Sequence, residues 1–177
     1  MRYQDGLTLM HEHMTIDLTQ GDLGTDSFDE LASDLRLIYN HGVRNIVDLT
    51  NQTMGRAPEY VRRLSEETGI SIFLSTGTYL EAFSGPYIAE RSVDEIAKDA
   101  VRDLTEGIDD TGIKADVIGE IAWSGPEERP LEKRPGKPIV LQQKRPVPLF
   151  PPMRAEGSSC IPRSNICSKT ESNRKGF

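Results

Sequence analysis

Short apolar runs and longer stretches with helical spacing alternate along the first 124 residues. Leu7–Met10 is a strand-like run that delivers His11-Glu12-His13 at its end. Ser27-Phe28-Asp29-Glu30 fits a capping box, and Leu31, Leu35 and Ile38 follow at helical spacing, which predicts a helix with one apolar face. Asn40-His41-Gly42 closes it, with Gly42 as the left-handed residue after the last turn. Val43–Leu49 reads as a second strand ending in the polar pair Thr50-Asn51. Arg56–Thr68 follows as a helix, with Pro58 in its first turn, an inner face of Tyr60, Val61, Leu64 and Thr68, and Gly69 as its stop. Ile70–Ser75 is the third strand, β-branched and aromatic. The stretch from Thr76 to Phe83 reads as a loop long enough to fold over a site. Ser92-Val93-Asp94-Glu95 is a second capping box, opening a helix through Ile96, Ala97, Ala100, Val101 and Leu104. Ala115–Ile121 is the fourth strand, with Glu120 near its end.

Strands separated by helices predict an α/β fold with a parallel sheet and right-handed crossovers. Four βα units make half of an eight-stranded barrel. A doubly wound open sheet is the alternative, but no G-x-G-x-x-G or P-loop stands at a strand end. A parallel barrel gathers its chemistry at the strands' carboxyl ends, where His11, His13, Thr50, Asn51, Tyr79 and Glu120 would meet.

The histidines change the picture most. Alternate residues of a strand share a face, so His11 and His13 point one way and Glu12 the other. Two imidazoles so placed can close on one metal ion, although most H-x-H pairs are ordinary surface or core histidines. The chain has 3 histidines. The third, His41, is expected to lie exposed in a helix's last turn, at the negative end of the dipole, rather than to bind metal. Glu120, flanked by Gly119, Ile121, Ala122 and Trp123, is either a solvated strand-end carboxylate or a third ligand.

Composition breaks near Ser124. Residues 1–124 carry 10 Lys and Arg against 23 Asp and Glu, net −13, with only Pro58 and Pro86 as prolines. Residues 125–177 carry 11 against 5, net +6, and hold nine of the 11 prolines. Two domains are expected: a globular unit over 1–124 and, over 125–177, a largely disordered tail rich in Pro, Arg and Ser. Cys160 and Cys167 fall in that tail and are expected as free thiols. The N-terminus lacks the apolar stretch of a signal peptide, and no run is long enough to span a membrane, so a cytoplasmic location is expected. The basic tail shows no RNP motif, zinc knuckle or interleaved aromatics, so nucleic acid is not an expected partner.

The chain resembles the phosphotriesterase-related branch of the amidohydrolase superfamily. The pieces that carry the resemblance are LTLMHEHMTIDL, GVRNIVDLTNQTMGR, EETGISIFLSTGTYLEAF, RSVDEIAKD, GIDDTGIKADVIGEIAWS and PLEKR, in order from residue 6 to about 133. The resemblance implies the first four βα units of a TIM-type (β/α)8 barrel that holds two divalent metals, usually zinc. It implies hydrolysis of phosphotriester, lactone or other ester bonds of small molecules by a metal-bound hydroxide. It gives His11 and His13 the role of the strand-one metal ligands, and Glu120 that of the strand-four bridging ligand. The family pattern also needs a histidine each from strands five and six and an aspartate from strand eight. No histidine follows His41, so the two histidine ligands are missing. The resemblance therefore implies a truncated or frameshifted hydrolase that holds at most one zinc weakly and has little or no activity alone. A half-barrel that assembles with itself or a partner chain through its open sheet edges is the alternative.

Overall fold

The computed structural model describes residues 2–18, 28–123 and 153–154. Its backbone is one parallel sheet in the order β1-β2-β3-β4-β5. The strands are β1 (Leu7–Glu12), β2 (Val43–Asp48), β3 (Ser71–Thr78), β4 (Val117–Trp123) and the two-residue β5 (Met153–Arg154). Helices α1 (Phe28–Asn40) and α2 (Pro58–Thr68) join β1 to β2 and β2 to β3. Two more, α3 (Glu81–Ala89) and α4 (Val93–Thr105), lie between β3 and β4. Four parallel strands alternating with helices thus form the half-barrel expected from the sequence.

Local chemistry sets the helix ends. Gly42 and Gly69 adopt φ of +96° and +76°, as the two predicted stops require. Ser92 and Glu95 exchange both bonds of the capping box at the start of α4. Ser27 lies outside the described residues, as do Cys160, Cys167 and all of the 125–177 segment except Met153 and Arg154. Those two residues form β5, which adds to β4 in parallel with Ala122 opposite Met153.

The stretch from Thr76 to Phe83 differs from the expected loop. Strand β3 continues through Thr78, and α3 begins at Glu81. Gly77 gives the sequence the look of a strand end, but it serves close packing. A Cβ there would sit 2.5 Å from the Glu120 carbonyl oxygen and 3.0 Å from the Gly119 carbonyl carbon on β4. Helix α3 was hidden by Gly85 and Pro86, both poor residues for a helix interior. Packing overrides them: Ile88 is fully buried among Ile96, Ala97 and Ala100 of α4 and Ile118 and Ile121 of β4.

A second core fills the space between the sheet and the first two helices. Ala32 and Leu35 of α1 and Val61 and Leu64 of α2 pack on Val43, Ile46, Ile72 and Leu74. Before β1, Asn45 fastens the chain: it accepts from the Gln4 amide at 2.9 Å and donates to the Gln4 carbonyl at 2.8 Å. Among the described residues no helix is long and apolar enough to cross a membrane.

A partly buried ion cluster ties the α4 layer to the sheet. Arg56, in the loop before α2, donates to Asp103 of α4 at 2.6 Å and to both carboxylate oxygens of Asp109 at 2.7 and 2.9 Å. Thr76 of β3 donates to the same Asp103 oxygen at 2.8 Å. Burial alone would weaken the Arg56 charge, but the bonds and charges of the two aspartates more than offset it and hold the guanidinium protonated.

Candidate metal centre

Strand alternation turns His11 and His13 toward one region at the carboxyl end of β1, their ring centroids 5.3 Å apart. Parallel pairing through β2 and β3 brings the same end of β4 beside them. There Glu120 lies with one carboxylate oxygen 3.7 Å from Nε2 of both His11 and His13. One ligand atom from each of the three residues falls within 4.8 Å of the others. The peptide bond between Gly119 and Glu120 is cis.

These distances suit an ion better than direct bonds. At 3.7 Å the imidazoles stand too far from the carboxylate for good hydrogen bonds. Ligand atoms about 2.0–2.1 Å from a tetrahedral zinc lie roughly 3.4 Å apart, close to the spacing seen. Two imidazole nitrogens and a carboxylate oxygen also form the mixed N/O donor set of catalytic zinc sites, which leave a position open. The residues present therefore fit a divalent metal.

Electrostatics favour the ligating form of His13. Burial, helped by the neighbouring His11, pushes the His13 pKa down to about 4, so the ring is neutral near neutral pH and offers one nitrogen lone pair. Nδ1 of His13 lies 3.2 Å from the Thr50 hydroxyl, which orients the ring with Nε2 toward Glu120. Burial raises the Glu120 pKa, and the nearby His11 opposes that rise. A cation at the centre would act as His11 does, only more strongly.

The end of β2 supplies the surrounding support. Asp48, buried, accepts from the Thr50 amide at 3.0 Å and from the Met14 amide at 3.4 Å. Burial raises its pKa, and those bonds pull it down. Asn51 donates to the Glu120 carbonyl at 3.1 Å. Tyr79 stands near enough for burial and the Glu120 charge to raise its phenol pKa, and its ring packs 5.5 Å from Phe83.

The residues expected to gather do so: His11, His13, Thr50, Asn51, Tyr79 and Glu120 share one end of the sheet. His41 does not join them. It is exposed at the end of α1, its ring bonded to the Leu37 carbonyl at 2.9 Å. Sequence reading gave no role to Asp48 or Gly77. The one available signal for Asp48 was a carboxylate directly after the apolar pair Ile46-Val47.

A parallel half-barrel with a His-x-His pair and a glutamate converging at its carboxyl end defines a class: (β/α)8-type hydrolase folds with a candidate metal site at the strand ends. A model of the phosphotriesterase family matches residues 2–146, and the chain belongs to that family. The phosphotriesterase homology protein of Escherichia coli is 37% identical over 133 residues, which cover 73% of this chain and 46% of that protein. Its crystal structure, with phosphate in the active site, superposes with a TM-score of 0.74 over 81% of this chain and 52% of the other, at 35% identity. The aryldialkylphosphatase of Saccharolobus solfataricus is 25% identical over 174 residues, 93% of this chain and 54% of the relative. A structure from the engineering of organophosphate hydrolysis on a weak promiscuous lactonase matches with a TM-score of 0.74 at 29% identity, over 84% of this chain and 50% of its own. The chain thus spans about half the length of the relatives it matches.

Proposed function

We propose that this chain is the metal-binding N-terminal half of a zinc-dependent hydrolase that acts on phosphotriester, lactone or other ester bonds of small molecules. Residues 1–124 form the hydrolase half in this reading, and 125–177 a tail of low structural content. The observation that carries it is the convergence of His11, His13 and Glu120 within 4.8 Å at the carboxyl end of a parallel sheet. Zinc bound there would supply Lewis-acid activation of water and of the ester oxygen. His11 and His13 hold the ion through neutral imidazoles, and Thr50 keeps the His13 ring aimed. Glu120 neutralises part of the added charge from a buried position. Tyr79 and Phe83 wall one side of the approach.

This chain has 3 histidines, none after His41, so it holds one ion weakly and hydrolyses little by itself. Assay of the purified chain with zinc or manganese, against an aryl phosphotriester and a panel of lactones, tests this. Traces of turnover or none are expected. Metal-dependent turnover that is lost in His11→Ala contradicts the inactivity, and turnover that survives His11→Ala contradicts the metal assignment.

A second reading has the half-barrel assemble with another copy of itself. Exposed apolar side chains on and just before β1 favour it: Leu7, Met10 and Tyr3 are 61%, 53% and 61% exposed. Among the described residues, β1 pairs with β2 alone. An edge of that kind invites a further strand. Light scattering after size exclusion should give a dimer mass, and a clean monomer excludes this reading.

A further inference from the structure

We propose that Asn51 is a positioning residue for Glu120: its carboxamide, locked at the end of β2, holds the Glu120 main chain and so sets where the carboxylate meets the histidine pair. The inference rests on the metal reading above.

Asn51 is fully buried and uses both ends of its side chain. Its Oδ1 accepts from the Thr53 amide at 3.0 Å and from the Thr53 hydroxyl at 2.8 Å. That assigns the other end as the NH2 group, which donates to the Glu120 carbonyl at 3.1 Å. The Thr53 hydroxyl in turn accepts from the Tyr79 amide at 3.2 Å. One carboxamide therefore joins the carboxyl ends of β2, β3 and β4.

The Glu120 carbonyl is confined from a second side. Gly77 of β3 lies so close that a Cβ would come within 2.5 Å of that oxygen. With the main chain held between Gly77 and Asn51, the carboxylate reaches both Nε2 atoms at the same 3.7 Å. Capping alone does not explain Asn51. Capping the 3-10 turn Gln52–Met54 uses only Oδ1, and a serine would do that work. The bond to Glu120 needs an NH2 group on a side chain of this length.

The test is titration of cobalt(II), a zinc surrogate with visible d–d bands, into the chelator-stripped full chain. Asn51→Ser keeps a cap but does not reach Glu120; Asn51→Asp keeps size and Oδ1 but removes the donor. Circular dichroism reports folding of each. Both variants are expected to bind cobalt about 10–100-fold more weakly, as losses of outer-shell partners do, with shifted d–d bands. A purely structural role would lower the melting temperature and leave the bands in place. A folded variant with wild-type affinity and bands overturns the proposal. If neither folds, Thr53→Val, which removes a hydroxyl that donates to Asn51, decides: a smaller shift in the same direction supports it, and an unchanged spectrum overturns it. Wild-type chain that binds no cobalt removes the metal reading and this inference together. Binding that His11→Ala abolishes but the Asn51 variants leave intact removes this inference alone.

Discussion

Two clusters of ionisable side chains are built into this half-barrel, and they are balanced differently. Around Arg56, one cation meets Asp103 and Asp109 at 2.6 to 2.9 Å, and Thr76 donates to the same Asp103 oxygen that Arg56 holds. Around Glu120, two imidazoles stand 3.7 Å from one carboxylate, and His13 is neutral. The first cluster carries its own counter-charge at bonding distance, as a structural tie must. In the second, the imidazole nitrogens stand 3.7 Å from the carboxylate, and one ligand atom from each residue lies within 4.8 Å of the others. Burial alone does not separate them, since Asp103 is 0% and Glu120 6% exposed. The spacing does: the first is bonded as a structural tie, and the second has the spacing of a candidate metal site.

The difference can be attacked first at the structural tie. Arg56→Met leaves Asp103 buried without its cation and should cost about 3–5 kcal/mol in urea denaturation. A loss under about 1 kcal/mol would mean the cluster is not the tie described. Next comes the packing that joins the two regions. Gly77→Ala forces a methyl against the Glu120 carbonyl and should cost about 1–3 kcal/mol, with weakened zinc binding measured in parallel. If zinc affinity is untouched, close packing of β3 on β4 does not govern the site. The opposite pattern is expected at the candidate metal site. His11→Ala should change metal-free stability by less than about 1 kcal/mol while removing zinc-dependent stabilisation in a thermal melt.

A further effect is the pH dependence of the metal-free chain. The folded pKa of His13 lies at about 4, below its ordinary 6.5, so the folded state binds fewer protons there. Its contribution is full above 6.5 and is lost as pH falls through the interval to about 4. The melting temperature of wild type should therefore drop more steeply across that window than that of His13→Gln. Parallel slopes would show that His13 is not held neutral by the fold.

Strands β1 to β4, three of the helices and the facing of the two histidines were legible because each depends on local pattern, whereas β5 falls in the segment expected to be disordered. His11 and His13 share a strand face by alternation, and Gly42, Gly69 and Ser92 act within a turn of their own position. Helix α3 was not legible, because Gly85 and Pro86 argue against it locally and the burial of Ile88 against α4 and β4 decides for it. The role of Gly77 was not legible for a related reason: what it answers to is a carbonyl on another strand. The Arg56 cluster joins partners 47 and 53 residues apart, and Asn51 reaches Glu120 across 69. No periodicity within a window foretells such pairs. Glu120 stood out locally because a carboxylate in an apolar strand asks for a partner, and its role as a ligand came from the family resemblance.

The binding of zinc by the full chain, followed by calorimetry after chelator treatment, bears most directly on the His11, His13 and Glu120 assignment. One zinc per chain, lost in both His11→Ala and Glu120→Gln, is the expected result. No uptake, or uptake unchanged in these two variants, would contradict it.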